Sequence, residues 1–474
     1  MNIYHTIRTE TEQHRGRTAV IEGGESVSYG QLFASVDRVA ASLRAAGVGG
    51  DAGRVGVLCA DSIDYIIASL AVLSLPAVVV PISPEQSRTE VGSILDRISV
   101  QYVLFEQGAH DLPGARPFPS DGFVSRTFSF SRRDVINAPP SKYASLDPAF
   151  IRFTSGTTGA SKGIVLSHET ILDRTDAADK GMRITHEDRV LWVLSMSFHF
   201  VVSILLFLRR AATIVICSRQ FPESLIDGIT NRRGTFIYAS PFHYTVLARS
   251  GLLSGDALRN IRMAVSTAMK LPGAVAEEFR AKFGFELTEA YGIIEVGLPF
   301  MNLSSDSAKR GSVGKPLPDY EISIRNADAS GTGDIWLRGK GMLDAYFSPW
   351  TDRPRILQEG WFRTGDLGKI DDDGFLFILG REKGVINFAG MKIFADEVES
   401  VLNQHPRVAE SLVYGMSHPQ YGQLPMAKVV LKDGSADTAE LRRFCYRRLS
   451  SYKVPKDFEF VDALPKTASG KIKR

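Results

Sequence analysis

The sequence is poor in cysteine and carries little net charge. It has three cysteines in 474 residues, and 56 basic against 53 acidic side chains give a formal net charge of +3. Cys59, Cys217 and Cys445 are too far apart for metal-ligand spacing, so we expect free thiols and a reducing, cytoplasmic location. A balance so close to neutral produces no large electrostatic field, so neither nucleic acid nor an anionic membrane is expected as a partner.

Long uncharged hydrophobic runs are also scarce. The one candidate for a membrane span, residues 65–82, is divided by Pro76. Asp61 is placed to cap a helix ahead of it, and residues 77–80 are typical of a strand. We therefore predict a buried helix followed by a buried strand, and no membrane span. The first six residues lack the basic and apolar regions of a secretory signal.

The length of the chain exceeds one ordinary hydrophobic core, so two or three domains are expected. Ser28 and Gln31 form a capping-box pattern at the start of a helix, and helices then alternate with apolar strands through about the first 270 residues. This alternation predicts two layered α/β sheet subdomains. From Gly311 short strands and turns predict a small β-barrel, and the residues after Arg381 are typical of a separate α+β module.

Hydroxyls and glycines are concentrated in one loop, residues 154–163, which read Thr-Ser-Gly-Thr-Thr-Gly-Ala-Ser-Lys-Gly between two predicted strands. Gly156 and Gly159 can take positive φ, which lets backbone N–H groups converge on a phosphate, and Lys162 adds a mobile positive charge. The loop is not a Walker A loop, because Ser161 stands where that pattern has its second glycine. A flexible linker is the alternative. The flanking strands favour a phosphate loop.

Four further motifs follow this loop. They are Tyr-Gly-Ile-Ile-Glu at 291–295, Thr-Gly-Asp at 364–366, Gly-Arg at 380–381 and Pro-Lys-Thr-Ala-Ser-Gly-Lys at 465–471. Together and in this order, the five motifs resemble those of the adenylate-forming superfamily of acyl-CoA synthetases, peptide-synthetase adenylation domains and luciferases. The resemblance extends from Tyr29 to the last residue.

The resemblance implies an α/β enzyme with a large N-terminal domain (1–380), a hinge (381–383) and a small mobile α+β domain (384–474). It also implies a reaction in which a carboxylic acid attacks the α-phosphate of ATP and pyrophosphate leaves. The acyl-adenylate then forms a thioester with coenzyme A. The implied cofactors are ATP, Mg²⁺ and coenzyme A, or the phosphopantetheine of a carrier protein in place of coenzyme A.

The resemblance also implies a role for individual residues. Glu295 would ligate Mg²⁺, Lys471 would bridge the attacking carboxylate and the α-phosphate, and Lys162 would act at the phosphates. Tyr291 would stack on adenine, and Asp366 would accept hydrogen bonds from the ribose hydroxyls. The residues implied in ATP or AMP binding are Thr154, Ser155, Gly156, Thr157, Thr158, Gly159, Lys162, Tyr291, Gly292, Glu295, Asp366, Arg381 and Lys471.

Two positions belong to the thioester step by resemblance. Lys383 would be the hinge residue, and Gly390 would lie at the pantetheine tunnel, with a surface hairpin glycine as the alternative. Two residues depart from the family pattern. Ile294 stands where a phosphate-binding threonine is usual, and Asn387 stands where many members carry a basic residue.

Among these properties, the identity of the acid substrate is the one that the sequence specifies least. His199 aligns with the position where amino-acid-activating members place an aspartate for the α-ammonium. Burying an ammonium without that carboxylate is costly, so we predict an acid that lacks an α-amino group. A core histidine is the alternative for His199. The predicted pocket residues are His199, Ser203, Thr267, Ala268 and Ala290.

The sequence therefore leaves three functions. The first is an ATP-dependent ligase that joins a small carboxylic acid to coenzyme A. The second is an enzyme that loads the acid onto a carrier protein supplied in trans. The third, motivated by Ile294, is a nucleotide-binding protein with weak or no ligase activity.

Overall fold

The computed structural model of the protein describes residues 1–50, 52–134, 139–153, 162–388, 391–419, 421–432, 436–466 and 472–473. The first eight strands are β1 (Thr18–Glu22), β2 (Glu25–Ser28), β3 (Gly53–Leu58), β4 (Ala77–Ile82), β5 (Tyr102–Glu106), β6 (Arg116–Pro117), β7 (Phe128–Arg132) and β8 (Pro148–Phe153). The next eight are β9 (Gly163–Ser167), β10 (Arg189–Trp192), β11 (Thr213–Ile216), β12 (Phe236–Ala239), β13 (Met263–Ser266), β14 (Thr288–Ile293), β15 (Gly297–Met301) and β16 (Lys315–Pro316).

The remaining strands belong to the second half of the chain. Six of them are β17 (Tyr320–Arg325), β18 (Gly333–Gly339), β19 (Ala345–Tyr346), β20 (Thr351–Asp352), β21 (Phe362–Ile370) and β22 (Leu376–Arg381). The last five are β23 (Val385–Phe388), β24 (Met391–Phe394), β25 (Val408–His418), β26 (Gly422–Leu431) and β27 (Asp457–Phe460).

The α-helices lie between these strands. They are α1 (Ile3–Glu10), α2 (Tyr29–Ala45), α3 (Ile63–Leu73), α4 (Arg88–Arg97), α5 (His168–Met182), α6 (Met196–His199), α7 (Leu205–Arg209), α8 (Glu223–Thr230), α9 (Pro241–Arg249), α10 (Gly273–Phe283), α11 (Arg353–Ile356), α12 (Ala395–Leu402) and α13 (Thr438–Tyr446). A π-helical turn, Phe200–Ile204, joins α6 to α7. A 3₁₀ turn, Glu382–Gly384, follows β22.

Two nine-stranded sheets form the large part of the molecule. Their strand orders are β16-β15-β14-β13-β12-β10-β11-β1-β2 and β20-β19-β9-β8-β4-β3-β5-β7-β6. One large hydrophobic core lies between them and contains side chains of both sheets, such as Trp192 and Phe150, together with α2, α3 and α5. The outer face of each sheet has its own smaller core. The predicted layered α/β architecture is confirmed.

Two smaller units follow. Strands β17, β18, β21 and β22 form a four-stranded antiparallel sheet where the sequence predicted a small β-barrel. An Asp-Gly turn at Asp373 and Gly374 joins β21 to β22, and Gly374 has φ +86°. The final strands β23–β27 form one sheet, packed on α12 and α13 around a core drawn from residues 386–458. The predicted α+β module is thus confirmed.

The apolar run at residues 65–82 folds as the sequence predicts. Helix α3 and strand β4 are buried along their whole lengths. Over the described parts of the chain, no helix combines the length and the apolar character needed to cross a membrane. The three cysteines are free and buried, as expected.

The predicted cap of α3 is wrong by one residue. The Ser62 hydroxyl, and not the Asp61 carboxylate, accepts a hydrogen bond from the backbone N–H of Tyr65 at 3.0 Å. Asp61 instead accepts the backbone N–H of Met196, at the start of α6, at 2.8 Å. Burial raises the pKa of the Asp61 carboxyl to about 7, and the nearby carboxylates of Glu85 and Glu22 add to the rise. A long-range hydrogen bond, which local sequence does not encode, thus decides the role of Asp61.

This raised pKa predicts that Asp61→Asn stabilises the protein at alkaline pH. The protonated form favours folding, so its stabilisation is complete below pH 3.8 and is lost as the pH rises towards 7. Above pH 7 the wild type carries a buried charge that asparagine lacks, a difference of up to about 4 kcal/mol. We expect a Tm several degrees higher for Asp61→Asn at pH 8.5 and little difference at pH 4, measured by calorimetry.

A neighbouring aspartate provides the control. Asp64 accepts backbone N–H groups of Val124, Ser125 and Arg126 at 2.6, 3.0 and 2.8 Å with both carboxylate oxygens. An asparagine amide nitrogen cannot accept, so Asp64→Asn should lower Tm near neutral pH. Equal destabilisation by the two substitutions at pH 8.5 would contradict the assignment.

Candidate active site

The phosphate-type loop leaves from an antiparallel pair of strands. Strand β8 pairs with β9, and Lys162 directly precedes β9. The Lys162 ammonium lies 4.1 Å from the centroid of the Tyr346 ring. Because β19 pairs with β9, this contact holds the lysine against the neighbouring strand. Six predicted phosphate-binding residues, Thr154, Ser155, Gly156, Thr157, Thr158 and Gly159, lie outside the described residues.

Three predicted nucleotide-binding residues form one connected group. The Tyr291 hydroxyl donates a hydrogen bond to Oδ2 of Asp366. Oδ1 of the same carboxylate is ion-paired with Nε of Arg381 at 2.6 Å. Strand register explains the pair, because Asp366 and Arg381 are direct partners on β21 and β22. The structure therefore brings together residues that are 75 or more positions distant from Tyr291 in sequence.

The surroundings of the Tyr291 phenol determine its protonation. Burial raises the pKa of Tyr291 well above its usual value, and the Asp366 carboxylate raises it further. The phenol is therefore protonated at neutral pH and acts as the donor. Asp366 is only 4% exposed, whereas Arg381 is about half exposed. Each carboxylate oxygen has two lone-pair directions, so one carboxylate can accept hydrogen bonds from several donors, as binding of ribose hydroxyls would require.

The Tyr291 hydroxyl gives a moderate expected effect. Tyr291→Phe removes one donor to Asp366 and leaves the Arg381 ion pair intact. We expect KM for ATP to rise about fivefold, which corresponds to about 1 kcal/mol, with little change in kcat. Steady-state kinetics would test this. Tyr320→Phe is the control, because the buried Tyr320 hydroxyl has no hydrogen-bond partner among the described residues. Equal effects of the two substitutions would contradict the proposed link between Tyr291 and Asp366.

The turn between β14 and β15 presents Glu295. Burial raises the pKa of this carboxyl, while the positive charges of Arg152, Arg381 and Arg174 oppose the rise. Arg174 holds the turn, because its guanidinium donates to the Ile294 carbonyl at 3.0 Å and to the Gly341 carbonyl. At Ile294, where the family usually has threonine, the backbone carbonyl is thus held by Arg174, and the difference from the family pattern lies in the side chain.

Close packing restricts this turn further. A Cβ at Gly292 would lie 2.7 Å from the Gly297 carbonyl oxygen, so only glycine fits without a shift.

One carboxylate is a sufficient protein ligand for Mg²⁺, which usually binds one or two carboxylates together with phosphates and water. Glu295 fits that requirement.

The predicted acid-pocket residues lie on α6, on the π-helical turn, directly after β13 and on β14. The His199 ring is half-buried and 6.5 Å from the Trp192 ring. The buried Ser203 donates its hydroxyl to the His199 carbonyl within the π-helical turn. Thr267 follows β13, and Ala268 has φ +70°, a conformation uncommon for alanine. Ala290 is buried on β14. Their contact with a substrate stays a prediction.

Of the residues predicted for the thioester step, Lys383 lies within the 3₁₀ turn after β22. Gly390 and Lys471 lie outside the described residues. The predicted hinge, tunnel and catalytic lysine therefore stay predictions.

Sequence reasoning missed Arg152 and Arg174. Arg152 is the one charged residue in the apolar strand β8, and its position two residues after Phe150 places it on the same face. That alternation was the available signal. Arg174 lies inside α5, and nothing local distinguishes it from a solvent-exposed helical arginine.

The fold has two stacked α/β sheets followed by a small α+β unit. This fold, together with the site residues Tyr291, Glu295 and Asp366, defines an adenylate-forming enzyme. The chain belongs to the family of AMP-binding enzymes. The family's model matches residues 7–347, and the model of the AMP-binding enzyme C-terminal domain matches residues 397–471. The predicted class, an AMP-forming acid–thiol ligase, is confirmed.

Similar proteins span nearly the whole chain. 4-Coumarate–CoA ligase 5 of Oryza sativa subsp. japonica is 29% identical over 492 aligned positions, which cover 97% of this chain and 91% of the relative. 2-Succinylbenzoate–CoA ligase of Bacillus licheniformis is 28% identical, with 99% and 98% covered. The o-succinylbenzoate CoA synthetase MenE of Bacillus subtilis, solved with its acyl-adenylate intermediate, superposes with a TM-score of 0.85 at 25% identity, covering 100% and 97%.

Proposed function

We propose that the protein activates a small carboxylic acid with ATP and transfers the acyl group to coenzyme A. The observation that carries this proposal is the group of Tyr291, Asp366 and Arg381 beside Glu295. It combines a buried acceptor suited to ribose with a carboxylate suited to Mg²⁺. We also propose a cytoplasmic location, which the three free cysteines support.

The residues of the chain perform the first half-reaction by positioning and charge neutralisation. Asp366 would hold the ribose, and the ion pair with Arg381 would fix the orientation of its carboxylate. Lys162, held against Tyr346, would neutralise phosphate charge. Glu295 would hold Mg²⁺, which neutralises and orients the phosphates when bound. Lys471 would approach from the small C-terminal unit and bring the acid to the α-phosphate.

Separate observations support the choice of thiol acceptor and the type of acid substrate. The two relatives named above are CoA ligases, which supports coenzyme A over a carrier protein. His199 occupies the position where a carboxylate would be needed for an α-ammonium, which supports an acid without that group.

Acid-dependent exchange of labelled pyrophosphate into ATP tests the first half-reaction. We expect exchange with at least one member of a panel of aliphatic, aromatic and amino acids, and weak exchange with the amino acids. With the preferred acid, coenzyme A and a set of phosphopantetheinylated carrier proteins are then compared as acceptors. Exchange with none of the acids would favour a nucleotide-binding protein, and thioester formation only on a carrier would favour the loading enzyme.

A further inference from the structure

Arg152 is a charged side chain in an apolar setting. It is the fifth residue of β8 and lies on the same face as Phe150, which packs into the core between the two large sheets. The guanidinium carbon lies 5.3 Å from the centroid of the Phe198 ring, beside α6. The Nε atom is buried and has no hydrogen-bond partner. Within the described chain we find neither a hydrogen bond nor an ion pair for this guanidinium.

Two buried hydroxyls lie near Arg152. Neither the Tyr65 hydroxyl on α3 nor the Ser197 hydroxyl on α6 makes a well-formed hydrogen bond to a described residue, and the two are close to each other. Burial raises the pKa of Tyr65, so its hydroxyl stays protonated, and the nearby Ser197 hydroxyl only moderates that rise. The Tyr65 and Arg152 side chains are close enough to interact electrostatically. One strand and two helices thus present hydrogen-bond donors to the same region.

Arg152 is half-buried, and a cation partly removed from water without a counter-charge is costly, so we expect a ligand to supply that charge. Burial lowers the pKa of Arg152 to about 10, and the Glu295 carboxylate opposes this fall. The guanidinium is therefore still charged at neutral pH. Glu295 is not that partner in the structure, because no ion pair joins the two side chains. The predicted phosphate-binding groups belong to the loop after β8, whereas the Arg152 guanidinium lies against Phe198, the residue before the predicted pocket residue His199.

We propose that Arg152 binds a second carboxylate of the acid substrate, so that the enzyme activates one end of a dicarboxylic acid. A planar guanidinium matches a carboxylate through two parallel hydrogen bonds, and the Tyr65 and Ser197 hydroxyls supply further donors. Phe198 would cover the apolar part of the substrate. Arg152 is then a specificity-determining residue. This inference rests on the proposed function, since it concerns the acid of the same reaction.

Matched pairs of acids test the inference. Aliphatic and aromatic dicarboxylic acids of increasing length are each compared with the monocarboxylic acid in which a methyl group replaces the second carboxylate. For the wild type we expect kcat/KM at least about 100-fold higher for the best dicarboxylic acid, because its analogue leaves the buried donors unpaired. Arg152→Met should lower kcat/KM for that dicarboxylic acid at least about 100-fold and leave the analogue equal or better. Arg152→Lys should retain part of the preference.

Controls separate specificity from folding. Arg54 is a buried arginine on β3 of the same sheet that lies over the Tyr143 and Phe347 rings, away from the predicted pocket. Arg54→Met should leave the ratio between paired acids unchanged, whatever its effect on Tm. If Arg152→Met fails to fold, Arg152→Lys and Tyr65→Phe provide the same comparison, and both should reduce the ratio.

Three outcomes would overturn the inference. One is a wild type that prefers the monocarboxylic acids, and another is a ratio unaffected by substitution of Arg152. The third is an equal loss for all acids with a raised KM for ATP, which would assign Arg152 to the phosphates. Each of these still leaves an active ligase. Absence of exchange with every acid would instead refute the proposed function.

Discussion

Glu295→Gln is expected to lower kcat/KM for magnesium-ATP by about 100- to 1000-fold, the range typical for loss of one group that stabilises transition-state charge. The substitution preserves the shape of the side chain but removes the anionic oxygen that a hard cation requires. Pyrophosphate exchange measured over a series of Mg²⁺ concentrations provides the test. The Mg²⁺ concentration for half-maximal exchange should rise together with the loss of rate.

The pH dependence of the wild type gives a second measurement of the same prediction. Because the pKa of Glu295 is raised, its ionised form is lost at a higher pH than for an ordinary glutamate. Activity at limiting Mg²⁺ should therefore fall on the acid side with an apparent pKa above the usual value of about 4.3. That acid limb should disappear in Glu295→Gln.

Glu289 provides the matched control. It lies on β14, is buried, and accepts the backbone N–H of Gly311 at 3.0 Å. Burial raises the pKa of Glu289 to about 7, so a neutral glutamine fits its site. Glu289→Gln should leave the Mg²⁺ dependence unchanged. If both substitutions shifted it equally, Glu295 would not be the metal ligand.

Lys471→Ala is expected to abolish adenylation, with a loss of about 3 kcal/mol or more in transition-state stabilisation, while the second half-reaction continues. The reason is that the lysine ammonium would offset the repulsion between the carboxylate and the α-phosphate as they join. In the second step the thiol attacks the acyl carbonyl of the adenylate and AMP leaves, so that repulsion no longer has to be overcome. Pyrophosphate exchange measures the first step. Thioester formation from a supplied acyl-adenylate and coenzyme A measures the second.

Lys466 serves as the control for this substitution. It belongs to the same terminal segment, and its ammonium is paired with Glu410 of β25 at 2.9 Å. An ion pair of this exposure contributes little, so Lys466→Ala should affect neither step strongly. Equal loss of both half-reactions in Lys471→Ala would refute the role assigned to Lys471.

Local rules predicted much of the fold. The capping box at Ser28 and Gln31 forms as expected, because both hydrogen bonds join residues three positions apart. The Asp-Gly turn after β21 and the strands on either side of the phosphate-type loop also follow from short segments. The same reasoning failed at Asp61, where the partner is the distant backbone of Met196.

Local sequence rules did not predict the order of the strands within each sheet. Strand β1 pairs with β11, and Val20 is the direct partner of Ile214. The first strand thus completes the sheet built mainly from the second half of the large α/β region. Apolar periodicity indicates which residues are buried, but it does not state which buried strand lies beside which.

The amino-acid sequence by itself determined the enzyme class, because phosphate, ribose and Mg²⁺ each need particular residue types in short motifs. Only the tertiary structure decided how these motifs act on one another. The Tyr291 hydroxyl meets Asp366 across 75 positions, and Nε of Arg152 is buried without a hydrogen-bond partner among the described residues. The physical reason is that hydrogen bonds and burial depend on distances in space, and chain folding sets those distances.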